Sequence, residues 1–471
     1  MTRSAEGRAI GLIFMAMGIM TGTFSSRWPW IAGRLHMGSA LIGAVGFCGT
    51  VGALIAMPLA ARFVHRYGAR AATRTLTVAS GATLVLPPFA PDVAVLAAVV
   101  LLMGAAIGTQ DNAMNTAGVE AETRIGRPIM SGLHGMWSVG VLLGSLAGSL
   151  AAHLSISPQV QFPVMGAVVV IGGLAPSAWL EGGPASGAAA EVHVPRFVWP
   201  QGLVLLIGLV AFAAIFVEFA ANDWSALFMH WTMHSSQSLA ALTTGLFALT
   251  MAAGRLCGDA VVRKIGAVSS VRACGVLATA GCLLVAVAPA VWVAVGGFML
   301  IGAGVSVVVP LVFAAAGHSG PSPAVGVAGV ATISYGAGLG TPSIMGGVAD
   351  LASLRVAFAL AAAIAVMVGV GAGLLRRAEV IPMRSEKDQF HDGDDADQHH
   401  QDAQARWRKP SAVPRPDEPA DRGADGDQEH GQPRHVREDD VHDRSGAVDE
   451  ADKHVLGAVH SLQRLVQKRA K

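Results

Sequence analysis

Three carboxylates stand inside long apolar stretches of this 471-residue chain: Asp111, Glu218 and Asp223. Such a group at the centre of a membrane-spanning helix costs at least about 2.5 to 3.5 kcal/mol on insertion scales, so it persists only beside a partner, a water-filled cavity or a proton. A carboxylate whose exposure alternates between the two sides of a membrane can bind a proton on one side and release it on the other, and Glu218, Asp223 and Asp111 are the candidates for that chemistry. Asp111 and Asn115 share a helix face at i, i+4, next to Gln110 and Asn112; Glu218 and Asn222 share another, with Asp223 beside them. His134, Trp137 and Ser138 fall on one face at i, i+3 and i+4, where an indole can stack on a sugar ring and an imidazole can offer a hydrogen bond. The candidate solute-binding set is therefore Arg27, Asp111, Asn112, Asn115, His134, Trp137, Asn222 and Trp224.

These residues need elements that hold them in lipid. Twelve apolar runs supply them, at roughly 9–32, 41–62, 74–91, 94–116, 134–155, 161–181, 200–230, 238–260, 270–288, 291–315, 325–348 and 353–375, numbered here as spans 1 to 12. In a bilayer every backbone N–H and C=O must be satisfied within the chain, and runs this long and continuous mean helices. The fold class expected is an all-α polytopic membrane protein of twelve transmembrane helices in two six-helix bundles. Their expected extents are residues 1–181 and 200–380, joined by a cytoplasmic linker at 182–199 and followed by a disordered hydrophilic tail at 381–471.

An even number of spans puts both ends of the body on one side. Arg3, Arg8, Arg62, Arg66, Arg70, Arg74, Arg124, Arg127, Arg196, Arg255, Arg263, Lys264, Arg272, Arg376 and Arg377 count to that side, and only Arg27, Arg34 and Arg355 to the other. The positive-inside rule then makes both termini cytoplasmic. The basic residues are spread over several short loops, so no nucleic-acid partner is expected. The four cysteines (Cys48, Cys257, Cys274 and Cys282) lie in or beside apolar helices without metal-ligand spacing, and neither a metal nor another cofactor is expected. No G-x-x-x-x-G-K-[ST] loop is present, which excludes a built-in ATP motor, and no enzymatic reaction is assigned.

The chain repeats itself. Ser138-x-Gly140-x-x-x-Gly144 recurs as Ser334-x-Gly336-x-x-x-Gly340 at an offset of 196; Leu102-Met103-Gly104-Ala105 recurs as Leu300-Ile301-Gly302-Ala303, and His65-Arg66-Tyr67-Gly68 as Arg263-Lys264-Ile265-Gly266, both at 198. Each match occupies the same place in its half, the mark of a duplicated six-plus-six body. At the 196 offset Asp223-Trp224 falls on Arg27-Trp28, so spans 1 and 7 are expected to face each other, with Arg27 and Asp223 as an ion pair closing the outer gate. The alternative has Arg27 reach the outer interface beside Trp28 and Trp30.

In these features the chain resembles the major facilitator superfamily. The loop signature of that family between spans 2 and 3, roughly G-x-x-x-D-R-x-G-R-R, corresponds to Ala61-Arg62-Phe63-Val64-His65-Arg66-Tyr67-Gly68-Ala69-Arg70, with Ala61 for the Gly and His65 for the Asp. The second-half version, Gly254-Arg255-Leu256-Cys257-Gly258-Asp259 followed by Arg263-Lys264-Ile265-Gly266, departs less, and Asp259 and Arg263 are placed to pair one turn apart. The resemblance implies gating roles for Arg66, Gly68, Arg70, Asp259 and Arg263. Asp111-Asn112-Ala113-Met114-Asn115, Glu120, Gly126-Arg127-Pro128-Ile129-Met130, His134 to Gly140, and Glu218 through Ser225 further resemble a bacterial branch of inner-membrane permeases related to fucose-proton symporters. The resemblance implies a monomeric secondary transporter in the lipid bilayer, with a small, sugar-like molecule as substrate and protons as the coupling ion. An exporter of small amphiphiles and a non-transporting receptor or assembly factor on the same scaffold are the alternatives.

Overall fold

The computed structural model describes residues 3–126, 129–180, 201–319 and 323–378. The expected linker at 182–199 and the tail at 381–471 lie outside them. Every regular element among the described residues is helical. Ten helices are long and apolar enough to cross a membrane. Two further passes complete the twelve: the second part of Ser39–Leu84, which breaks at Gly68, and Pro323–Leu351.

Span 1 is Arg3–Ser26, prolonged by the short helix Trp28–Arg34. The break falls at Arg27 (φ −108°, ψ 7°) because Pro29, in the first turn of the second piece, has no N–H to donate. Span 4, expected to end near 116, continues as Val93–Ile125 until Gly126 turns left-handed (φ 74°). Span 5 is Met130–His153 and span 6 is Pro158–Ser177. Span 7, Gly202–Leu227, ends in a wide π turn at Phe228–Thr232. Gln237–Ile265 and Ala267–Val287 form spans 8 and 9; span 10 is split into Val291–Val305 and Val308–Gly317 ahead of Pro310; Leu354–Gly371 is span 12.

The internal repeat is visible in the backbone. Gly68 and Gly266, one offset of 198 apart, share one conformation (φ 80°, ψ 161° and φ 82°, ψ 160°), which favours glycine and turns the chain between spans 2 and 3 and between spans 8 and 9. Span 1 packs on spans 5 and 6 as span 7 packs on 11 and 12, span 2 on 4 as 8 on 10, and span 3 on 6 as 9 on 12. Gly104 meets Gly49, and its repeat Gly302 meets Phe247, the residue 198 beyond Gly49. The halves touch through spans 5 and 8, 2 and 11, and 1 and 7.

The side of the bundle that carries Arg3 is termed near, the opposite side far. The three cations assigned to the far side all cap carbonyls: Arg27 donates to Ile156 O at 3.0 Å, Arg355 to Ala286 O at 3.1 Å, and Arg34 to Ala90 O. They close helix and loop ends, so their presence opposes the topology rule less than their number suggests.

The repeated glycine motif is used unequally. A Cβ on Gly140 would lie 2.1 Å from Met15 O and one on Gly144 would lie 2.3 Å from Ile19 O, so spans 1 and 5 touch backbone to backbone. At Gly336 nothing lies within 4 Å. Gly140→Ala is therefore expected to lower stability by about 1–3 kcal/mol through overpacking, while Gly336→Ala leaves it unchanged or slightly raised. Thermal unfolding of the two purified variants checks this; equal losses contradict it.

Candidate functional site

A polar network within the second half, tied to the first through span 5, centres on a residue that the sequence pattern did not single out. Arg255 lies deep in span 8, and its Nη2 donates to Glu218 Oε1 of span 7 at 3.0 Å, with both residues under one-tenth exposed. Its Nη1 crosses to span 5, donating to Ser138 Oγ at 2.9 Å and to His134 O at 3.4 Å. The guanidinium also sits over the Trp137 ring, 5.8 Å from its centroid. Ser131 Oγ returns a hydrogen bond to the Arg255 carbonyl at 3.3 Å. Gly135 permits the approach, because a Cβ there would stand 2.8 Å from Leu256 Cδ2. The count of basic residues sets Arg255 with the topology-setting cations; the structure corrects this by placing it inside the bundle, where it pairs with Glu218. Trp137, expected to stack on solute, has the Arg255 guanidinium over its ring instead, and the His134 ring packs edge-on against Phe14 at 5.3 Å.

Near the far ends of spans 1 and 7, Asn222 Nδ2 donates to Asp223 Oδ1 at 2.7 Å and to Ser25 Oγ at 3.1 Å, and Ser25 Oγ donates to Asp223 Oδ1 at 3.3 Å. Spans 1 and 7 do face each other. The expected Arg27–Asp223 pair is not made in this conformation, because the break at Arg27 directs its side chain to the loop after span 5. Trp224 is buried in the apolar core and reaches no polar partner set. Further along this side Ser149 and Ser238 donate to each other's carbonyl oxygens at 2.9 and 3.0 Å, joining spans 5 and 8. Spans 2 and 11 meet so closely that a Cβ on Gly43 would lie 2.5 Å from Pro342 O.

In span 4, Asp111 is half-buried, and Asn115 Nδ2 donates to its backbone carbonyl at 2.9 Å. Asn112 is half-buried beside them, its carbonyl accepting from Thr116 Oγ1 at 2.9 Å. Tyr335, in the near half of span 11, is exposed.

The loop residues divide. Arg66 is exposed and lies over the Tyr67 ring. Arg70 donates through Nε to Leu180 O at 2.6 Å, and Arg74 through Nε to Ser177 Oγ at 2.9 Å, so both tie span 3 to the end of span 6 within one half. Asp259 and Arg263 are exposed and form no ion pair with each other among the described residues, because water competes for both side chains there. Among the described residues no group of three or more His, Cys, Asp or Glu is placed to hold a metal ion.

Removing one member of the Glu218–Arg255 pair strands the other charge, at a cost of about 3–5 kcal/mol. Glu218→Gln and Arg255→Gln are each expected to lower stability substantially, and the double variant less than their sum. Chemical or thermal unfolding across the double-mutant cycle checks this, and strict additivity contradicts it.

Residues 9–338 match the Major Facilitator Superfamily model. An uncharacterised transporter of Sinorhizobium fredii is 32% identical over 79% of this chain and 98% of its own length. An uncharacterised MFS-type transporter of Yersinia pestis is 32% identical over 78% and 94%. The membrane protein MosC of Rhizobium meliloti is 26% identical over 76% and 88%. Among solved structures, a variant of the nucleoside transporter NupG superposes with a TM-score of 0.62 at 14% identity, covering 79% of this chain and 99% of that one. A variant of the E. coli fucose:proton symporter FucP gives 0.53 at 14%, covering 78% and 98%. By the extent of the family match and the two bacterial relatives spanning nearly their whole length, this chain is a multi-pass membrane protein that belongs to the major facilitator superfamily of transporters.

Proposed function

We propose that the chain is a proton-coupled secondary transporter that moves a small polar, hydroxyl-bearing solute by alternating access, with Glu218 as the coupling carboxylate. The observation that carries this reading is the buried Glu218–Arg255 pair, which is tied to the opposite half through Ser138, His134 O and Trp137. Protonating Glu218 removes the charge that balances Arg255, so Arg255 must find another partner or the contact between spans 5 and 8 must loosen. A contact worth a few kcal/mol is enough to shift a two-state equilibrium by orders of magnitude. Asp223, held between spans 1 and 7 by Ser25 and Asn222, belongs to the far gate in this scheme. Asp111, Asn112 and Asn115 offer the solute polar contacts from span 4.

The far-end contacts of span 1 with 7 at Ser25 and Asn222 and of span 2 with 11 at Gly43 and Pro342, together with the exposure of Tyr335 in the near half of span 11, support a near-open state in which spans 5 and 8 touch along their length, from Ser131 and Arg255 to Ser149 and Ser238. The basic loops favour a cytoplasmic near side, in a bacterial inner membrane. Both six-span halves come from one chain, which supports a monomer. The names of the superposable proteins, a nucleoside transporter and a fucose:proton symporter, support hydroxyl-rich cargo and proton coupling.

Proteoliposomes screened with sugars and polyols test the reading. The wild type is expected to accumulate a solute when the pH gradient is imposed. Glu218→Gln is expected to lose that accumulation by about tenfold or more while keeping solute-for-solute counterflow. Gradient-driven accumulation that survives in Glu218→Gln would rule out Glu218 as the coupling group.

A further inference from the structure

We infer that Thr50 of span 2 is a positioning residue for transport: its hydroxyl takes the place of the N–H that Pro342 lacks in span 11, and so latches the two halves in the near-open state. The inference rests on the alternating-access part of the reading above and does not depend on which solute is carried.

Pro342 lies inside the helix Pro323–Leu351, where each N–H is normally returned to the carbonyl four residues earlier. A proline has no N–H to return. The carbonyl concerned is Gly338 O, and it is met from the opposite half, by Thr50 Oγ1 at 3.1 Å. Gly338 and Pro342 are both buried. A buried carbonyl that loses its donor bears the full cost of its desolvation.

From this bond to the far ends, spans 2 and 11 are pressed together. A Cβ on Gly46 would stand 2.9 Å from Pro342 Cβ, one on Gly43 would stand 2.5 Å from Pro342 O, and one on Gly346 would stand 2.6 Å from Ser39 O. Parting the helices to open the far side breaks the Thr50 bond and admits water to Gly338 O. The hydroxyl therefore stabilises the far-closed arrangement and not its alternative. The matching interface of the repeat has neither part of the device. At the offset of 198 Thr50 falls on Ala248, and at 196 Gly338 and Pro342 fall on Leu142 and Leu146. Span 5 keeps the N–H that span 11 lacks, and span 8 presents no hydroxyl there. The donor and the proline occur together in one interface and are absent together from the other.

Spin labels at Leu41 and Leu351, exposed residues near the far ends of spans 2 and 11, read the far-side separation by dipolar measurement in the full-length protein with its native cysteines replaced. Thr50→Val, which keeps the shape and removes the donor, is expected to raise the ratio of long to short distances by about tenfold. Thr50→Ser is expected to keep the wild-type distribution. In a Pro342→Ala background residue 342 supplies its own N–H to Gly338 O, and Thr50→Val is then expected to raise the ratio by about threefold or less. An equal Thr50→Val shift in both backgrounds, which is what lost packing alone would give, overturns the latch. So does a Thr50→Ser shift as large as that of Thr50→Val. Distances that move with Glu218→Gln but not with Thr50→Val would remove the latch and leave alternating access standing; distances that move with neither would remove both.

Discussion

A guanidinium and a carboxylate buried together between lipid-embedded helices constrain everything around them. Neither Arg255 nor Glu218 can be stripped of its partner without a penalty of several kcal/mol, because the interior of a membrane protein offers little water to take the partner's place. The pair therefore fixes the depth at which spans 7 and 8 sit relative to each other. Through Ser138 and His134 O it also fixes how span 8 lies on span 5 of the opposite half. Gly135 and the close approach of spans 1 and 5 at Gly140 and Gly144 are the small-residue contacts that let backbones come near enough for this network to form.

The two halves share a chain path but divide the chemistry. Gly68 and Gly266 adopt the same left-handed turn, and the helix pairings repeat one for one. Yet Glu218 stands where the first half has Gly22, a glycine pressed against Val141 O. Asp111 stands where the second half has Val309. The duplication supplies two halves with the same helix pairings, and substitution in one copy at a time places a charged group in one half with a different residue at the matching position of the other. A scaffold of this kind can rock about its middle while its polar centre remains one-sided.

The number and sequence position of the spans were legible in the chain because long apolar runs have few alternative fates in lipid. The repeat was legible because small residues recur where backbones touch or turn. The inward role of Arg255 was hidden by its neighbourhood: it sits in a Gly-Arg-x-x-Gly-Asp run shortly before the basic turn at Arg263 and Lys264, and spacing alone cannot separate a cation that faces water from one that faces a carboxylate 37 residues away in the sequence. The Arg27–Asp223 pair expected from the repeat is not made, for a different reason. Pro29 breaks span 1 just beyond Arg27, and a break changes which way a side chain points without changing the helix count. Hydropathy ends span 4 near 116 because Glu120, Glu122 and Arg124 follow, while the helix itself runs on to Ile125.

In the proposed mechanism the charge state of Glu218 sets which side of the bundle is open. In a protein with its native cysteines replaced, spin labels at Leu154 and His234 report the far-side separation of spans 5 and 8, and labels at Thr123 and Lys264 report the near-side separation of spans 4 and 8. Introducing Glu218→Gln, which mimics the protonated form, is predicted to lengthen the far distance and shorten the near one in pulsed dipolar measurements. Distance distributions that stay the same in both pairs, in a variant that remains folded, would contradict the account.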